Sequence, residues 1–272
     1  MLVIGEKING TRERVAEAIR SRDEGFIADL ALRQVAAGAT YLDVNAGTRP
    51  ADEPADMVWL IDAIQRVTDV TLCLDSVNPR ALVAGLDRAK KKPMINSLSG
   101  EKSRVENVLP WACKYETELV VLAMDDRGIP KSVDERLSIV RSLVALTRDG
   151  RLPDEKLYID PLITAVATDT GSGSMAFETM RRIKEEFPEV HLTAGLSNIS
   201  FGLPARAIVN QAFAVLAIEA GLDSAILDPE DVELRGIMYA AELVLGRDRR
   251  CQGYTNAYRA GLIGRQDGCL RQ

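Results

Sequence analysis

The chain has 272 residues, of which 46% are hydrophobic and 27% are charged, and its formal net charge is -6. A chain of this length buries a large core and falls within the size range of a single α/β barrel domain. The acidic balance argues against a nucleic-acid binder, which normally carries a basic face.

The four cysteines are widely separated and include no C-x-x-C pair; they are Cys73, Cys113, Cys251 and Cys269. The opening segment "MLVIGEKING" is too short and too polar to act as a secretory signal. No apolar run approaches the roughly 20 residues needed to span a bilayer. These features predict a soluble protein of the reducing cytoplasm that has no membrane contact.

Taken in chain order, short apolar segments alternate with longer segments of helical period. "LVIGEKIN" precedes "EGFIADLALRQVAAG", "TYLDVNAG" precedes "PADMVWLIDAIQRV", and "TLCLDS" precedes "PRALVAGLDRAKK". The pattern continues through "PMINSLS", "ELVVLAMDD", "KLYIDPL", "HLTAGLSN" and "SAILDP", each followed by a helical segment. Eight such units predict an α/β fold, a single-domain (β/α)₈ TIM barrel, with an open doubly wound sheet as the alternative.

The polar, glycine-rich end of the chain breaks this pattern. We assign residues 1–246 to the barrel domain and residues 247–272 to a C-terminal extension or disordered end. A glycine- and serine-rich run, "TDTGSGSM" at 168–175, follows the sixth predicted strand. It suits either a mobile lid that contacts a partner or a plain connector in which Ser172 or Ser174 caps the next helix.

The carboxyl ends of the strands form the reactive face of such a barrel. A carboxylate or carboxamide closes every predicted strand: Asn9, Asp43 with Asn45, Asp75, Asn96, Asp125 with Asp126, Asp160, Asn198 and Asp228. Such residues often cap helices or form Asx-turns, and we interpret Asp125, Asp126 and Asp228 in that way. We expect four others to form a bowl of hydrogen-bonding groups: Asp75, Asn96, Asp160 and Asn198.

The residue types in this bowl suggest a ligand. Carboxylates only accept hydrogen bonds, whereas Asn both donates and accepts, so the bowl suits a heterocycle with adjacent N–H and NH₂ donors. The aminopyrimidinone edge of a pterin has that pattern. A Schiff-base enzyme fits less well, because it needs a lysine at a strand end, and Lys7 lies early in the first strand.

Metal sites are not expected. Asn96 interrupts the series of acids that a magnesium site requires, and one histidine without paired cysteines cannot build a zinc site. The single histidine, His191, opens the seventh predicted strand at the end opposite Asn198. We therefore predict a structural or surface role for His191 and chemistry without histidine.

Five short segments along the chain form a recognisable set of motifs. They are "GEKING", "LCLDS", "MINS", "LYIDPL" and "GLSNISFG", the last followed by Arg206 and Asn210. In this combination the chain resembles the methyltetrahydrofolate:corrinoid methyltransferases. These are pterin-binding barrels related to the folate domain of cobalamin-dependent methionine synthase and, more distantly, to dihydropteroate synthase. The resemblance extends from the first strand to the eighth helix, and "GLSN" is its most specific motif when the others are present.

The resemblance implies a role for each matching position in the bowl. Asp75, Asn96 and Asp160 match the residues that hydrogen-bond the pterin ring. Asn198 matches the asparagine beside N5, the pterin atom that carries the methyl group, and is therefore the expected catalytic residue.

Other positions in the same motifs are expected to support the substrate. Gly195 and Ser197 lie in the loop of Asn198 and would shape the floor of the pocket. Further substrate contacts are expected from Glu6, Asn9 and Arg206. Phe201 and Gly202 are expected to contact the folate tail or the corrinoid.

The activity implied by the resemblance is methyl transfer between methyltetrahydrofolate and the cobalt of a corrinoid, in either direction. The chain contains no Asp-x-His-x-x-Gly motif for a lower corrinoid ligand, so cobalamin is expected on a separate corrinoid protein. The family also implies a homodimer. Two alternatives stay open: a dihydropteroate synthase-like enzyme, for which a Ser-x-Arg-like anion site is missing, and a non-catalytic module that binds folate or a corrinoid protein.

Overall fold

Eight parallel strands form one sheet in the computed structural model, which describes residues 1–264. They are β1 (Leu2–Asn9), β2 (Tyr41–Asn45), β3 (Thr71–Asp75), β4 (Met94–Gly100), β5 (Leu119–Asp125), β6 (Leu157–Asp160), β7 (His191–Leu192) and β8 (Ser224–Leu227). Consecutive strands pair from β1 to β7, and β8 pairs with β1. A bridge between Gly195 and Ile226 joins the chain after β7 to β8 and closes the sheet. The predicted (β/α)₈ barrel is therefore confirmed over the open sheet.

Helices cover the outside of the barrel. They are α1 (Glu13–Ser21), α2 (Glu24–Ala36), α3 (Glu53–Gln65), α4 (Pro79–Arg88), α5 (Lys102–Asn107), α6 (Leu109–Tyr115), α7 (Val133–Asp149), α8 (Ser172–Glu186), α9 (Arg206–Glu219), α10 (Val232–Val244) and α11 (Gln252–Arg259). Short 3-10 helices occupy Asp154–Lys156, Leu196–Ser200 and Arg249–Cys251.

Three connections differ from the sequence prediction. Helix α1 adds a helix between β1 and α2. The segment after β4 divides into α5 and α6, because Pro110 at the start of α6 has no backbone N–H to continue the helix. Ser172 opens α8 but does not cap it; its hydroxyl donates to the Thr164 carbonyl at 2.9 Å and ties the preceding loop to the helix.

Two apolar clusters stabilise the barrel. The larger one lies between the strands and the surrounding helices, with members such as Leu42 and Ile61. The smaller one fills the inside of the barrel with five side chains: Ile4, Cys73, Met94, Val120 and Tyr158. Side chains alternate between the two faces of a strand, so the residues two positions further along also point inward.

The inside of the barrel becomes polar at the next layer. On four of the five strands the next inward residue is Glu6, Asp75, Asn96 or Asp160, and on β2 Asp43 follows Tyr41 in the same way. This change from apolar to polar side chains lies toward the carboxyl ends of the strands. Period-2 alternation therefore carries the predicted polar residues into the barrel mouth.

Acidic side chains elsewhere at the strand ends have structural roles, as predicted. Asp125 accepts a hydrogen bond from the backbone N–H of Arg127 at 2.9 Å, and Asp126 accepts one from Lys102 at 3.1 Å. Asp228 accepts a hydrogen bond from the backbone N–H of Glu230 at 2.9 Å. These carboxylates shape turns and begin a helix rather than pointing into the bowl.

The amino-terminal end of the barrel holds the single histidine. The ring of His191 stacks on Tyr158 with the ring centroids 4.7 Å apart, and its Nδ1 lies 3.0 Å from Oδ2 of Asp223. That hydrogen bond raises the pKa of His191. These contacts agree with the structural role predicted for it.

The chain after α10 continues as an ordered segment through residue 264. Ala257 and Ile263 are buried, and Arg235 Nε donates to the Leu262 carbonyl at 2.8 Å. Helix α11 therefore packs against the barrel, whereas Cys269 lies outside the described residues. None of the helices found within residues 1–264 combines the length and the apolar character that crossing a membrane requires.

Candidate active site

A cavity of about 340 Å³ opens at the carboxyl end of the barrel. Its lining consists of Glu6, Asn9, Thr11, Arg12, Asp43, Asp75, Asn96, Gly195, Ser197, Asn198 and Ile226. Seven of the nine substrate-site residues predicted from the sequence are in this lining. The other two, Asp160 and Arg206, lie just behind it, where they hydrogen-bond Gly195 and Ser197 respectively.

The floor of the cavity consists of side chains from β2, β3 and β4 that hydrogen-bond one another. Asn96 Nδ2 donates to Asp43 Oδ1 at 3.2 Å, and Asn45 Nδ2 donates to Asp75 Oδ2 at 2.8 Å. Burial raises the pKa of both carboxyl groups, and the neighbouring charge of Asp75 further raises the pKa of Asp43, to about 8. The pair therefore keeps a proton at neutral pH.

Arg104 of α5 holds the ends of the two strands that carry Asp75 and Asn96. Its guanidinium donates to the carbonyls of Ser76 and Val77, at 3.3 and 3.1 Å, and to the carbonyl of Ser97. Its positive charge also opposes the rise in the pKa of Asp75. This half-buried arginine thus fixes the spacing of β3 and β4 and favours the charged form of Asp75.

Asp160 ends β6 and organises the backbone of two loops. It accepts a hydrogen bond from the N–H of Leu162 at 2.7 Å and another from the N–H of Gly195. Burial raises the pKa of Asp160 to about 6, while these N–H groups and the charge of Arg136 oppose the rise. The side chain therefore carries a negative charge at neutral pH directly behind the cavity wall.

Asn198 lies in the 3-10 helix Leu196–Ser200, so its placement at the end of a long seventh strand was wrong. The β6–β7 ladder ends at Leu192, and Asp160 then binds the N–H of Gly195. The chain turns there, with the Asn198 N–H donating to the Gly195 carbonyl at 3.2 Å. This turn brings Asn198 back over the cavity.

The side chain of Asn198 is exposed to the cavity and makes no hydrogen bond within residues 1–264. A Cβ added at Gly195 would lie 3.0 Å from Asn198 Nδ2, which is too close for an unstrained contact. Gly195 therefore leaves the space that the Asn198 carboxamide occupies. The carboxamide is positioned by its backbone and free to bind a ligand.

Arg206, the first residue of α9, fastens the turn that carries Asn198. Its Nη2 donates to the Ser197 carbonyl at 2.8 Å, and its Nε donates to Ser200 Oγ at 3.0 Å. The guanidinium carbon also lies 5.9 Å from the ring centroid of Phe201. These contacts make Arg206 a support for the turn, and direct substrate binding by it stays a prediction.

The β1 side of the mouth carries an ion pair and a hydrogen-bonded turn. Arg12 Nη2 donates to Glu6 Oε1 at 2.9 Å. Burial raises the pKa of Glu6, and the charge of Arg12 opposes that rise. Asn9 Oδ1 accepts from the N–H and the hydroxyl of Thr11, at 3.0 and 2.7 Å.

Sequence reasoning missed four residues of the lining: Thr11, Arg12, Asp43 and Ile226. For Asp43 a usable signal was present, since "YLDVN" places Tyr41, Asp43 and Asn45 on one face of the strand. The same alternation in "SAIL" places Ile226 beside the cavity. Thr11 and Arg12 follow the strand in a turn, where alternation gives no information.

The cavity offers acceptors to a ligand that brings hydrogen-bond donors. Behind the lining, the buried Asn45 Oδ1 beside Asp75 has no hydrogen-bond partner within residues 1–264. Such an orphaned acceptor is stabilised when a ligand N–H reaches it. Ile226 supplies an apolar surface for the face of a ring. In the described part of the chain, no group of three His, Cys, Asp or Glu side chains is arranged to hold a metal ion.

The fold and the position of this cavity define a class, the single-domain (β/α)₈ barrels with a site at the carboxyl ends of their strands. A dihydropteroate synthase from Yersinia pestis superimposes with a TM-score of 0.63 at 18% identity, over 90% of this chain and 93% of that chain. A dihydropteroate synthase from Coxiella burnetii, in complex with pteroic acid, gives a TM-score of 0.65 at 16% identity, over 91% and 94% of the two chains.

The sequence narrows that class. A family model described as pterin binding enzyme matches residues 5–228, and the chain belongs to this family. The methylcorrinoid:tetrahydrofolate methyltransferase of Eubacterium limosum is 39% identical over 266 residues, which cover 97% of this chain and 98% of that protein. The methionine synthase of Mycobacterium leprae (strain TN) is 30% identical over 271 residues, covering 93% of this chain and 22% of that protein. The resemblance predicted from the motifs is confirmed.

Proposed function

We propose that the protein is a methyltransferase that moves a methyl group between N5 of methyltetrahydrofolate and the cobalt of a corrinoid, in either direction. One observation carries this proposal: the unpartnered carboxamide of Asn198 faces a cavity whose floor is made of carboxylates and carboxamides. The near full-length similarity to a methylcorrinoid:tetrahydrofolate methyltransferase supports the same reaction.

The floor of the cavity binds the pyrimidine half of the pterin in this proposal. Asp75 and Asn96 face the ring from β3 and β4, and Asp160, which lies behind the lining on β6, is the third proposed ring contact. The ring presents N–H and NH₂ donors, which match carboxylate acceptors and the orphaned Asn45 Oδ1. Because burial and the charge of Asp75 raise the pKa of Asp43 to about 8, its carboxyl group can donate a hydrogen bond as well as accept one.

Asn198 acts on N5. A tertiary amine is a poor methyl donor because its leaving group would be an amide anion, so N5 must gain positive character during transfer. A carboxamide can turn its oxygen toward a protonated N5 or its NH₂ toward a neutral one. When the NH₂ group faces a neutral N5, its hydrogen bond strengthens as the C–N electron pair returns to N5 in the transition state. When the oxygen faces a protonated N5, it stabilises the cation that makes N5 a better leaving group. An aspartate at position 198 would bind the protonated substrate more tightly in the ground state. Its interaction would therefore strengthen less in the transition state.

The remaining contribution of the chain is alignment. In-line transfer requires the methyl group to lie between N5 and the cobalt, with both partners held in one orientation. The corrinoid supplies the metal centre that accepts or donates the methyl group. Gly195, Ser197 and Arg206 hold the turn that carries Asn198, and Glu6 and Asn9 hold the β1 side of the mouth.

A separate corrinoid protein docks over the mouth of the barrel in this proposal. Phe201 is 68% exposed beside the Asn198 turn, and Gly202 follows it with a φ of 82°. Val77 and Ile129 are also exposed, in the loops after β3 and β5. An exposed apolar rim around the cavity suits a protein partner that covers the site during transfer.

The protein is further proposed to be a cytoplasmic homodimer. The outer face of α9 exposes Ile208, Val215 and Leu216 at helical spacing, and α10 beside it exposes Val244. Such an apolar face suits burial against a second copy. We assign pterin binding to residues 1–246 and treat residues 247–272 as an extension of that barrel.

Anaerobic spectroscopy tests the proposed reaction. The pure protein is mixed with free cob(I)alamin and methyltetrahydrofolate, and loss of the Co(I) absorption band is followed, with folate binding measured by calorimetry. Transfer by the unmodified protein that Asn198→Ala abolishes is the expected result. Asn256→Ala, an exposed position in α11, is the matched control and should keep full activity. Absence of folate binding would refute the pterin assignment.

A further inference from the structure

A second cavity of about 650 Å³ adjoins the mouth of the barrel, between α1 and the loop from β2 into α3. This volume is in the range of small-molecule sites. We call the cavity the α1–α3 groove; its lining includes Gly10, Arg20, Arg22, Gly47, Thr48 and Arg49. We propose that the α1–α3 groove binds the p-aminobenzoylglutamate tail of the folate substrate. This inference rests on the proposed function.

The orientation of the pterin determines where the tail leaves the cavity. Around the mouth the strands follow in the order β3, β4, β5, β6, β7, β8, β1 and β2. The pyrimidine half is assigned to β3, β4 and β6, and N5 to the turn after β7. C6, which carries the tail, is bonded to N5 on the side away from the pyrimidine ring. The tail therefore leaves toward β8 and β1.

At β1 a thin wall of backbone separates the two cavities. Asn9 and Thr11 line the active-site cavity, whereas Gly10 between them lines the groove. A Cβ on Gly10 would lie 1.8 Å from the Ala46 carbonyl oxygen, and one on Gly47 would lie 2.8 Å from the Gly10 carbonyl carbon. Both clashes are with backbone atoms, so neither position can carry a side chain. In this proposal the substituent on C6 passes over this stretch of backbone.

The inside of the groove suits an aromatic ring. Ala16 of α1 and Ala51 and Ala55 on the α3 side line it with small side chains that leave room for a flat group. The hydroxyl oxygen of Thr48 is buried and has no hydrogen-bond partner within residues 1–264. A ligand with an amide group, as between the benzoyl ring and the glutamate, would satisfy it.

Three arginines stand where the glutamate carboxylates would lie. Arg22 is fixed by Asp56 at 2.6 Å, and Arg49 pairs with Asp52 at 2.7 Å on the surface. Arg20, in the last turn of α1, has no ion-pair or hydrogen-bond partner for its side chain in the described part of the chain. Since acidic residues also line the groove, Arg20 rather than net charge provides the attraction.

Calorimetry with two forms of the substrate tests this inference on the complete chain. The probes are 5-methyltetrahydrofolate with one glutamate and with three glutamates. We expect the triglutamate to bind about tenfold more tightly, a difference of about 1.4 kcal/mol, because its additional carboxylates make charge-assisted contacts to arginine. Arg20→Glu combined with Arg49→Glu should reduce this ratio to about two.

The matched control is Arg249→Glu combined with Arg250→Glu, the same double charge reversal at exposed positions after α10. Glu242 of that helix binds the amino terminus at 3.1 Å, so Arg249 lies at the other end of the barrel. The control should keep the tenfold ratio. Equal binding of the two probes by the unmodified protein, or a ratio unchanged by the double substitution, would overturn the tail assignment alone. Binding of neither probe would refute the pterin site itself.

Discussion

The two sides of the barrel mouth hold their polar groups in different ways. On the β2–β4 side, Asp43, Asp75 and Asn96 project from strands and are already hydrogen-bonded to one another or to Asn45. On the β7 side, Asn198 projects from a 3-10 turn, and its side chain has no partner within residues 1–264. The strand side is built for recognition, which needs fixed geometry. The turn side is suited to chemistry, which needs a group free to change its hydrogen bond.

The largest effect should come from the turn side. We expect Asn198→Ala to lower the rate of methyl transfer about 10²- to 10³-fold, by analogy with loss of one donor from an oxyanion hole. The dissociation constant for methyltetrahydrofolate should change much less, because the floor remains intact. Single-turnover kinetics and calorimetry separate the two quantities. A variant that loses binding but keeps its single-turnover rate would contradict the division between the two sides.

Substitution of Asp75 should weaken substrate binding more than it slows methyl transfer. Asp75→Asn keeps the shape of the side chain but removes a charged acceptor, so the dissociation constant should rise about 10- to 100-fold. The rate with bound substrate should fall less. Asp228→Asn is the control, since Asp228 also follows a strand but lies outside the cavity lining. Equal losses in the two variants would mean that Asp75 has no special role in binding.

The buried pair on the strand side makes stability depend on pH. The pKa of Asp43 is raised in the folded state, to about 8, so the folded protein binds this proton more tightly than the unfolded chain does. Stability should therefore fall as the pH rises from about 4 to 8. Asp43→Asn removes that loss and should be more stable than the unmodified protein by about 1–2 kcal/mol at pH 8.

Urea denaturation at pH 4.5 and pH 8 measures this difference. The advantage of Asp43→Asn should shrink toward the lower pH, where the carboxyl group is protonated in the folded state. An advantage of equal size at both values would show that packing, and not the proton, distinguishes the variant.

The smallest effect should come from Gly195. Gly195→Ala pushes a methyl group to within 3.0 Å of Asn198 Nδ2, so the carboxamide must shift by a few tenths of an ångström. We expect methyl transfer to slow about tenfold, with little loss of folate binding. Stopped-flow absorbance and calorimetry would check this. Gly25→Ala in α2 is the control, because a Cβ there approaches only the Asp23 carboxylate, at 3.5 Å.

Much of the site could be predicted because it follows from alternation along strands. The inward positions of "LCLD", "MIN" and "YID" place Asp75, Asn96 and Asp160 one step beyond apolar residues of the barrel interior. Because successive side chains of a strand point to opposite faces, the sequence alone indicates which of them face the barrel interior. The same reasoning, applied to "YLDVN", would have placed Asp43 on the floor of the cavity.

Positions in turns could not be predicted in this way. The sequence indicated a long seventh strand, but the β6–β7 ladder stops after two residue pairs. The carboxylate of Asp160 binds the N–H of Gly195 and so favours the turn that follows. That contact joins residues far apart in the chain, which local propensity does not encode.

The sequence by itself determined the barrel, the order of its units and the polar residues that strands carry into its mouth. Short-range periodicity is sufficient for these features, because a strand or helix repeats the same geometry at every residue. Only the tertiary structure decided three other features. The side chains on the β2–β4 side of the mouth are already hydrogen-bonded to one another, Arg206 supports the turn that carries Asn198, and a groove adjoins β1. Those features depend on contacts between distant segments, and packing alone brings such segments together.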